Sequence, residues 1–102
     1  MNPYKQNIFY KDLTINLTAC RVSRAGQDLC LTPREFALLA VLLSHCGIAL
    51  SRSQLLEAAW GYAYIGESRT VDVHINRLRR KLGLENDIQT VYKVGYRLNR
   101  AC

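Results

Sequence analysis

The chain lacks an apolar run long enough to cross a bilayer. Its longest, Phe36 to Leu43, covers eight residues, whereas a spanning helix needs about 20, so no membrane span is expected. Metal-ligand patterns are missing too. Cys20, Cys30, Cys46 and Cys102 show no CxxC spacing, and His45 and His74 form no ligand pair. The neighbours His45 and Cys46 read as packing at a helix end. No nucleophile, base and orienting group recur at suggestive positions, so neither catalysis nor a cofactor is expected. Met1-Asn2-Pro3-Tyr4-Lys5 runs into polar sequence without the apolar core of a secretory signal. With the cysteine spacing, this leads to the expectation of free thiols in a reducing cytoplasm. Cys20 and Cys30 are placed to face each other across a hairpin and to join in air. Acidic residues are scarce: eight Asp+Glu stand against fourteen Lys+Arg, a net charge of +6.

What is present is unevenly placed. Residues 69–102 hold eight of the basic residues and three of the acidic ones, and so carry +5 of the +6. A basic C-terminal third favours a polyanionic partner, nucleic acid first and an anionic membrane second. The 102 residues suit one small domain over 1–102, and with 49% hydrophobic residues a core is feasible without staples.

The first half alternates short strands and turns. Ile8 to Tyr10, Leu13 to Asn16, Ala19 to Ser23 and Gln27 to Leu31 are rich in apolar or β-branched residues. Asn16 to Thr18 and Arg24-Ala25-Gly26 supply turns, with Gly26 suited to positive φ. Thr32-Pro33-Arg34-Glu35 is a capping box with proline in the first turn. It opens a helix whose Phe36, Leu38, Leu39, Leu42 and Leu43 form a wide apolar face and which Gly47 ends. Ser51-Arg52-Ser53-Gln54 repeats the box before a shorter helix ending near Trp60-Gly61, with Leu55, Leu56, Ala59 and Trp60 as core. Ser68 is read as the cap of a third helix. After it, Ile88 to Tyr92 and Tyr96 to Leu98 form a hairpin with a cationic tip at Lys93-Val94-Gly95.

The third helix, 69–82, carries the clearest signal. Val71, Ile75, Leu78 and Leu82 lie at i, i+4, i+7 and i+11, one buried face. The opposite face collects Val73, Asn76, Arg77 and Arg80, with Arg69, His74, Arg79 and Lys81 along the flanks. An apolar keel under a basic, hydrogen-bonding surface has the build of a helix laid in a DNA groove, although a basic run alone is equally a solvated face. Arginine offers a planar fork for O6 and N7 of guanine, and asparagine a comparable pair for adenine. Asp72, in the first turn, favours the helix dipole and reads as structural. Helix, helix, loop, basic helix and β-hairpin form the order of a winged helix-turn-helix, an α+β fold. A winged-helix module that docks to protein is the rival reading; a steep salt slope distinguishes DNA binding from it.

The residues resemble the DNA-binding effector domain of OmpR/PhoB-type response regulators. The matching strings are Leu31-Thr32-Pro33-Arg34-Glu35-Phe36-Ala37-Leu38-Leu39, Leu50-Ser51-Arg52-Ser53-Gln54-Leu55-Leu56 and Trp60. Arg69-Thr70-Val71-Asp72-Val73-His74-Ile75, Leu78-Arg79-Arg80-Lys81-Leu82, Gln89-Thr90-Val91 and Val94-Gly95-Tyr96-Arg97-Leu98 complete them. The resemblance implies a four-stranded N-terminal sheet, three helices and a C-terminal hairpin. It also implies a receiver domain absent from this chain, and, for the whole protein, a sensor histidine kinase and RNA polymerase as partners. Arg77 corresponds to the principal base-contacting arginine and Val73 to a residue that packs on thymine methyls, with Asn76 beside them. Backbone contacts are implied for Arg69, His74, Arg79, Arg80, Lys81, Thr90 and Lys93. The wing, near 90–97, includes Tyr92, Lys93 and Arg97. Tyr92 stands where some members place a minor-groove arginine, Lys93 where glycine is common, and Asn76 where arginine is frequent. Tyr92 is expected to pack across the hairpin. Tyr62, Tyr64 and Ile65 fall in the segment that touches polymerase. Two copies are expected on tandem half-sites of double-stranded DNA, about one helical turn apart.

Overall fold

Two kinds of local signal, paired short strands and doubly capped helices, become two sheets flanking three helices. The computed structural model describes residues 7–61 and 68–100. Strands β1 (Asn7–Tyr10), β2 (Leu13–Asn16), β3 (Arg21–Arg24) and β4 (Gln27–Leu29) form an antiparallel sheet in sequence order. Ile8 pairs with Ile15, and Ile15 with Val22, so one face turns Ile15 and Val22 into the core. Ala25 and Gly26 both take positive φ, 52° and 80°, which closes the β3–β4 hairpin in two residues. The third strand starts at Arg21 and not at Ala19. Asn16 Oδ1 accepts from the Ala19 amide at 2.9 Å and Cys20 sits at φ 54°, so a side-chain-stabilised turn consumes those residues.

Both capping boxes form. Thr32 Oγ1 accepts from the Glu35 amide while Glu35 Oε1 accepts from the Thr32 amide, opening α1 (Pro33–Ser44). Ser51 and Gln54 do the same for α2 (Arg52–Trp60). Helix α1 stops at Ser44, earlier than Gly47. Gly47 takes φ 85° and its amide donates to the Leu98 carbonyl at 2.7 Å, tying the turn to the last strand. Helix α3 (Arg69–Leu82) starts without the expected cap: Ser68 is itself helical and its side chain makes no capping bond. Gly83, left-handed at φ 64°, ends it as a terminal glycine should.

The second sheet contains a strand that local pattern did not disclose. β5 (Leu50–Ser51) pairs with β7 (Gly95–Leu98), which pairs with β6 (Ile88–Val91), giving the order β5-β7-β6. Gly95 is required there, because a Cβ would lie 2.1 Å from the Leu50 carbonyl oxygen. One core joins everything: Leu38, Leu39 and Leu42 of α1, Leu55 of α2, all four keel residues of α3, and Ile88 and Leu98 of the second sheet. Cys20, Cys30 and Cys46 are free thiols, and Cys102 lies outside the described residues.

Candidate nucleic-acid interface

Helix α3 is held by its keel. Val71, Ile75, Leu78 and Leu82 are all fully buried, worth about 1.5–3 kcal/mol each. With that stripe fixed, 3.6-residue periodicity forces Val73, Asn76, Arg77 and Arg80 outward, and all four are exposed. Val73 is 44% exposed, a large apolar side chain left in water. Arg77 and Arg80 take no hydrogen-bond or ion-pair partner among the described residues.

The flanks differ. Asp72 Oδ1 accepts from Arg52 Nε at 2.8 Å and from the Tyr96 hydroxyl at 2.5 Å, so one carboxylate joins α2, α3 and β7. Burial pushes the Asp72 carboxyl up, but the bonds from Tyr96 and Arg52 outweigh it and hold it below its usual range. Burial and the same carboxylate push the Tyr96 hydroxyl up. Arg52 and Arg79 each lie over the Tyr96 ring, at 5.5 and 5.4 Å from its centroid. Asp72 is thus structural, as its position suggested, but its partner comes from the preceding helix.

Arg79 is built into the fold. Its Nε and Nη2 donate to the Ile88 carbonyl at 3.0 and 2.7 Å, Nη2 also donates to Thr90 Oγ1, and Nη1 donates to Asn76 Oδ1. The resemblance implies a DNA-backbone contact for it; in the fold it is first a strut between α3 and the wing. Lys81 is similarly engaged, its Nζ 2.6 Å from Oε1 of the fully buried Glu35. Burial raises the Glu35 carboxyl, yet the Lys81 bond, the Thr32 amide and the Lys81 and Arg77 charges bring it below its ordinary value. Thr32, Glu35, Arg77, Arg80 and Lys81 line an open cleft of about 380 Å³ beside the helix. His74 Nδ1 donates to the Thr70 carbonyl at 2.9 Å, and its ring meets Trp60 edge-on at 4.9 Å. Nε2 is the ring nitrogen not engaged by the Thr70 carbonyl. Arg69 is exposed at the first turn of α3.

The wing tip also departs from expectation. Tyr92 lies in the turn, 83% exposed, and not in a paired strand. Lys93 Nζ lies over its ring, 5.5 Å from the centroid. Lys93 occupies the left-handed region at φ 61°, which accounts for glycine suiting that position. Thr90 is exposed on β6, and Arg97 on β7 is held by Gln89 and Asn99. Tyr62, Tyr64 and Ile65 lie outside the described residues. Sequence reasoning missed Arg52, Glu35 and Tyr96 as the frame of this face. Glu35 and Arg52 were visible only as capping-box members, and their long-range partners are 46 and 20 residues away.

A keeled, basic helix preceded by two helices and followed by a braced β-hairpin defines a winged helix-turn-helix domain of the kind found in transcriptional regulators. The chain belongs to the family described as transcriptional regulatory protein, C terminal, which matches residues 26–98. It is 44% identical over 89 residues to the transcriptional regulatory protein CseB of Streptomyces coelicolor, covering 87% of this chain and 38% of CseB. The chain therefore spans less than two-fifths of that relative's length. The DNA-binding domain of Klebsiella pneumoniae RstA, solved in complex with the RstA box, is 35% identical with a TM-score of 0.80, covering 92% of this chain and 97% of that one. The DNA-binding domain of CpxR from E. coli is 32% identical with a TM-score of 0.81, covering 94% and 98%. The family and the fold are those of transcription-factor DNA-binding domains. Among the described residues, no helix is long and apolar enough to cross a membrane.

Proposed function

We propose that this domain binds duplex DNA sequence-specifically, as the output domain of a two-component transcriptional regulator acting in the cytoplasm. Helix α3 enters the major groove, and the wing lies on the adjacent backbone or minor groove. The observation that carries this reading is the outward row Val73, Asn76, Arg77 and Arg80 on a helix whose opposite face is locked in the core. Arg77 is the principal base reader, Val73 meets thymine methyls, and Asn76 lies against a neighbouring base. Arg69, Arg80, Thr90 and Lys93 contact phosphates, which position without specifying. His74 joins them through Nε2. Arg79 and Lys81 contribute charge, with their main duties inside the fold. In the whole protein a receiver domain, a sensor histidine kinase and RNA polymerase are the partners, and two copies occupy tandem half-sites.

The test is competition binding to duplex DNA, single-stranded DNA and RNA at two salt concentrations. Duplex affinity is expected to exceed the others and to fall steeply with salt as counterions are released. Equal, salt-insensitive binding to all three polymers would reject the proposal. Selection from a random duplex library then identifies the preferred site.

A further inference from the structure

Arg79 does more than brace the wing. Its Nε and Nη2 are anchored on the Ile88 carbonyl, and Nη2 is shared with Thr90, so the guanidinium is fixed in place. From there Nη1 meets Asn76 Oδ1 at 3.1 Å, one helical turn away. A guanidinium has no acceptor, so the amide atom facing it is the oxygen and not the nitrogen. Oδ1 is thereby directed along the helix surface toward residue 79. The end of the amide that remains for a ligand is the NH2, two donors.

That polarity matters for base reading. A two-bond contact with adenine needs both ends of the amide at one base edge, the oxygen accepting from N6 and the nitrogen donating to N7. Oδ1 keeps a second lone pair, but an amide whose oxygen is turned toward Arg79 cannot aim both ends at that edge without breaking the bond. An NH2 group presented alone matches an acceptor. In the major groove guanine offers two adjacent acceptors, O6 and N7, and thymine offers O4; adenine offers N7 beside the N6 donor, which opposes a second N–H, and cytosine offers only the N4 donor, so keto bases suit the two donors better than amino bases.

We infer that Asn76 is a specificity-determining residue that reads a keto base, guanine or thymine, and that Arg79 is the positioning residue that makes it do so. On the strand that Asn76 faces, guanine and thymine are preferred to adenine and cytosine. This rests on the proposed placing of α3 in the major groove with Asn76 toward the bases.

The experiment is selection of bound duplexes from a random library by the 102-residue chain and by Asn76→Ala, Asn76→Asp and Arg79→Met, with base frequencies read at every position. The wild type is expected to show one step at which keto bases exceed amino bases by about fivefold, the lower end of what a direct contact discriminates. Asn76→Ala levels that step alone. Asn76→Asp, which offers acceptors only, inverts it toward cytosine and adenine. Arg79→Met keeps an unbranched apolar side chain, removes the donors, and moves the step toward adenine. If Arg79→Met does not fold, as read by thermal unfolding, the inversion by Asn76→Asp decides. Adenine at the Asn76-dependent step of the wild type overturns the inference while leaving the groove placement intact. A keto preference unmoved by a folded Arg79→Met overturns the role of Arg79. If Asn76→Ala selects the wild-type site at every position, both the inference and the placing of Asn76 against the bases fall.

Discussion

Arg77 and Arg79 sit two residues apart on one helix and have opposite surroundings. Arg77 is exposed and takes no hydrogen-bond or ion-pair partner among the described residues, whereas Arg79 is half-buried and donates to Ile88, Thr90 and Asn76. Two residues turn the helix by about 200°, enough to move a side chain from the outer face to the flank beside the wing. The same contrast separates Arg80 from Lys81, which is spent on Glu35. Residue type alone therefore does not define a DNA contact. A cation is available to a polyanion only where the fold has left it without a carboxylate or carbonyl of its own.

Four measurements separate the engaged cations from the available ones. Lys81→Met removes the only cation bonded to a fully buried carboxylate among the described residues and leaves it the Thr32 amide, with Glu35 Oε2 already lacking a partner there. We expect a loss of about 3 kcal/mol of stability, seen in denaturant unfolding. An unchanged midpoint would mean that Lys81 is as free as Arg77. Arg77→Ala is expected to do the reverse: about 2 kcal/mol of affinity lost at the preferred site, with stability within about 0.5 kcal/mol of wild type. A large fall in its melting temperature would erase the distinction.

The third test uses pH. Asp72 and Glu35 both titrate below their ordinary values of 3.8 and 4.5 in the fold. The native state thus binds fewer protons than the unfolded chain there. The stability they contribute is full above the ordinary range and is lost as pH falls through the lowered values. On the alkaline side, burial first, with the Asp87 and Cys46 charges adding, pushes Tyr10 up to about 12. Its contribution is full below 10 and fades as pH rises toward 12. Melting temperature against pH should fall at both ends, and Lys81→Met should show a weaker acid limb.

The smallest effect is at the wing tip. Lys93→Gly relieves a left-handed lysine and is expected to stabilise the domain by up to about 1 kcal/mol. It also removes an exposed cation, so DNA affinity should fall slightly and uniformly across sequences, with a flatter salt slope. A gain in affinity would exclude Lys93 from the phosphate contacts.

Much of this was readable along the chain. The two capping boxes, the keel of α3, the terminal Gly83 and the β3–β4 turn all arise from residues within a few positions of one another. Their physics is local hydrogen bonding, backbone preference and periodic burial. Elements without a local signature were missed or misdrawn. β5 is only Leu50–Ser51 and exists because β7 lies beside it. Tyr92 looked like a strand residue because aromatics favour strands, but the turn begins one residue earlier.

The spacing of residues along α3 dictated that it buries one stripe and exposes another, since helical geometry converts spacing into faces without help from the rest of the molecule. It also determined that Val73, Asn76, Arg77 and Arg80 share the outer face. Which cations on that helix remain available depends on long-range packing. Arg79 reaches its Ile88 partner 9 positions away and Lys81 its Glu35 partner 46 away. No local pattern encodes those distances. They follow from the packing of α1 and the second sheet against α3, which brings a buried carboxylate and a strand carbonyl within hydrogen-bond reach.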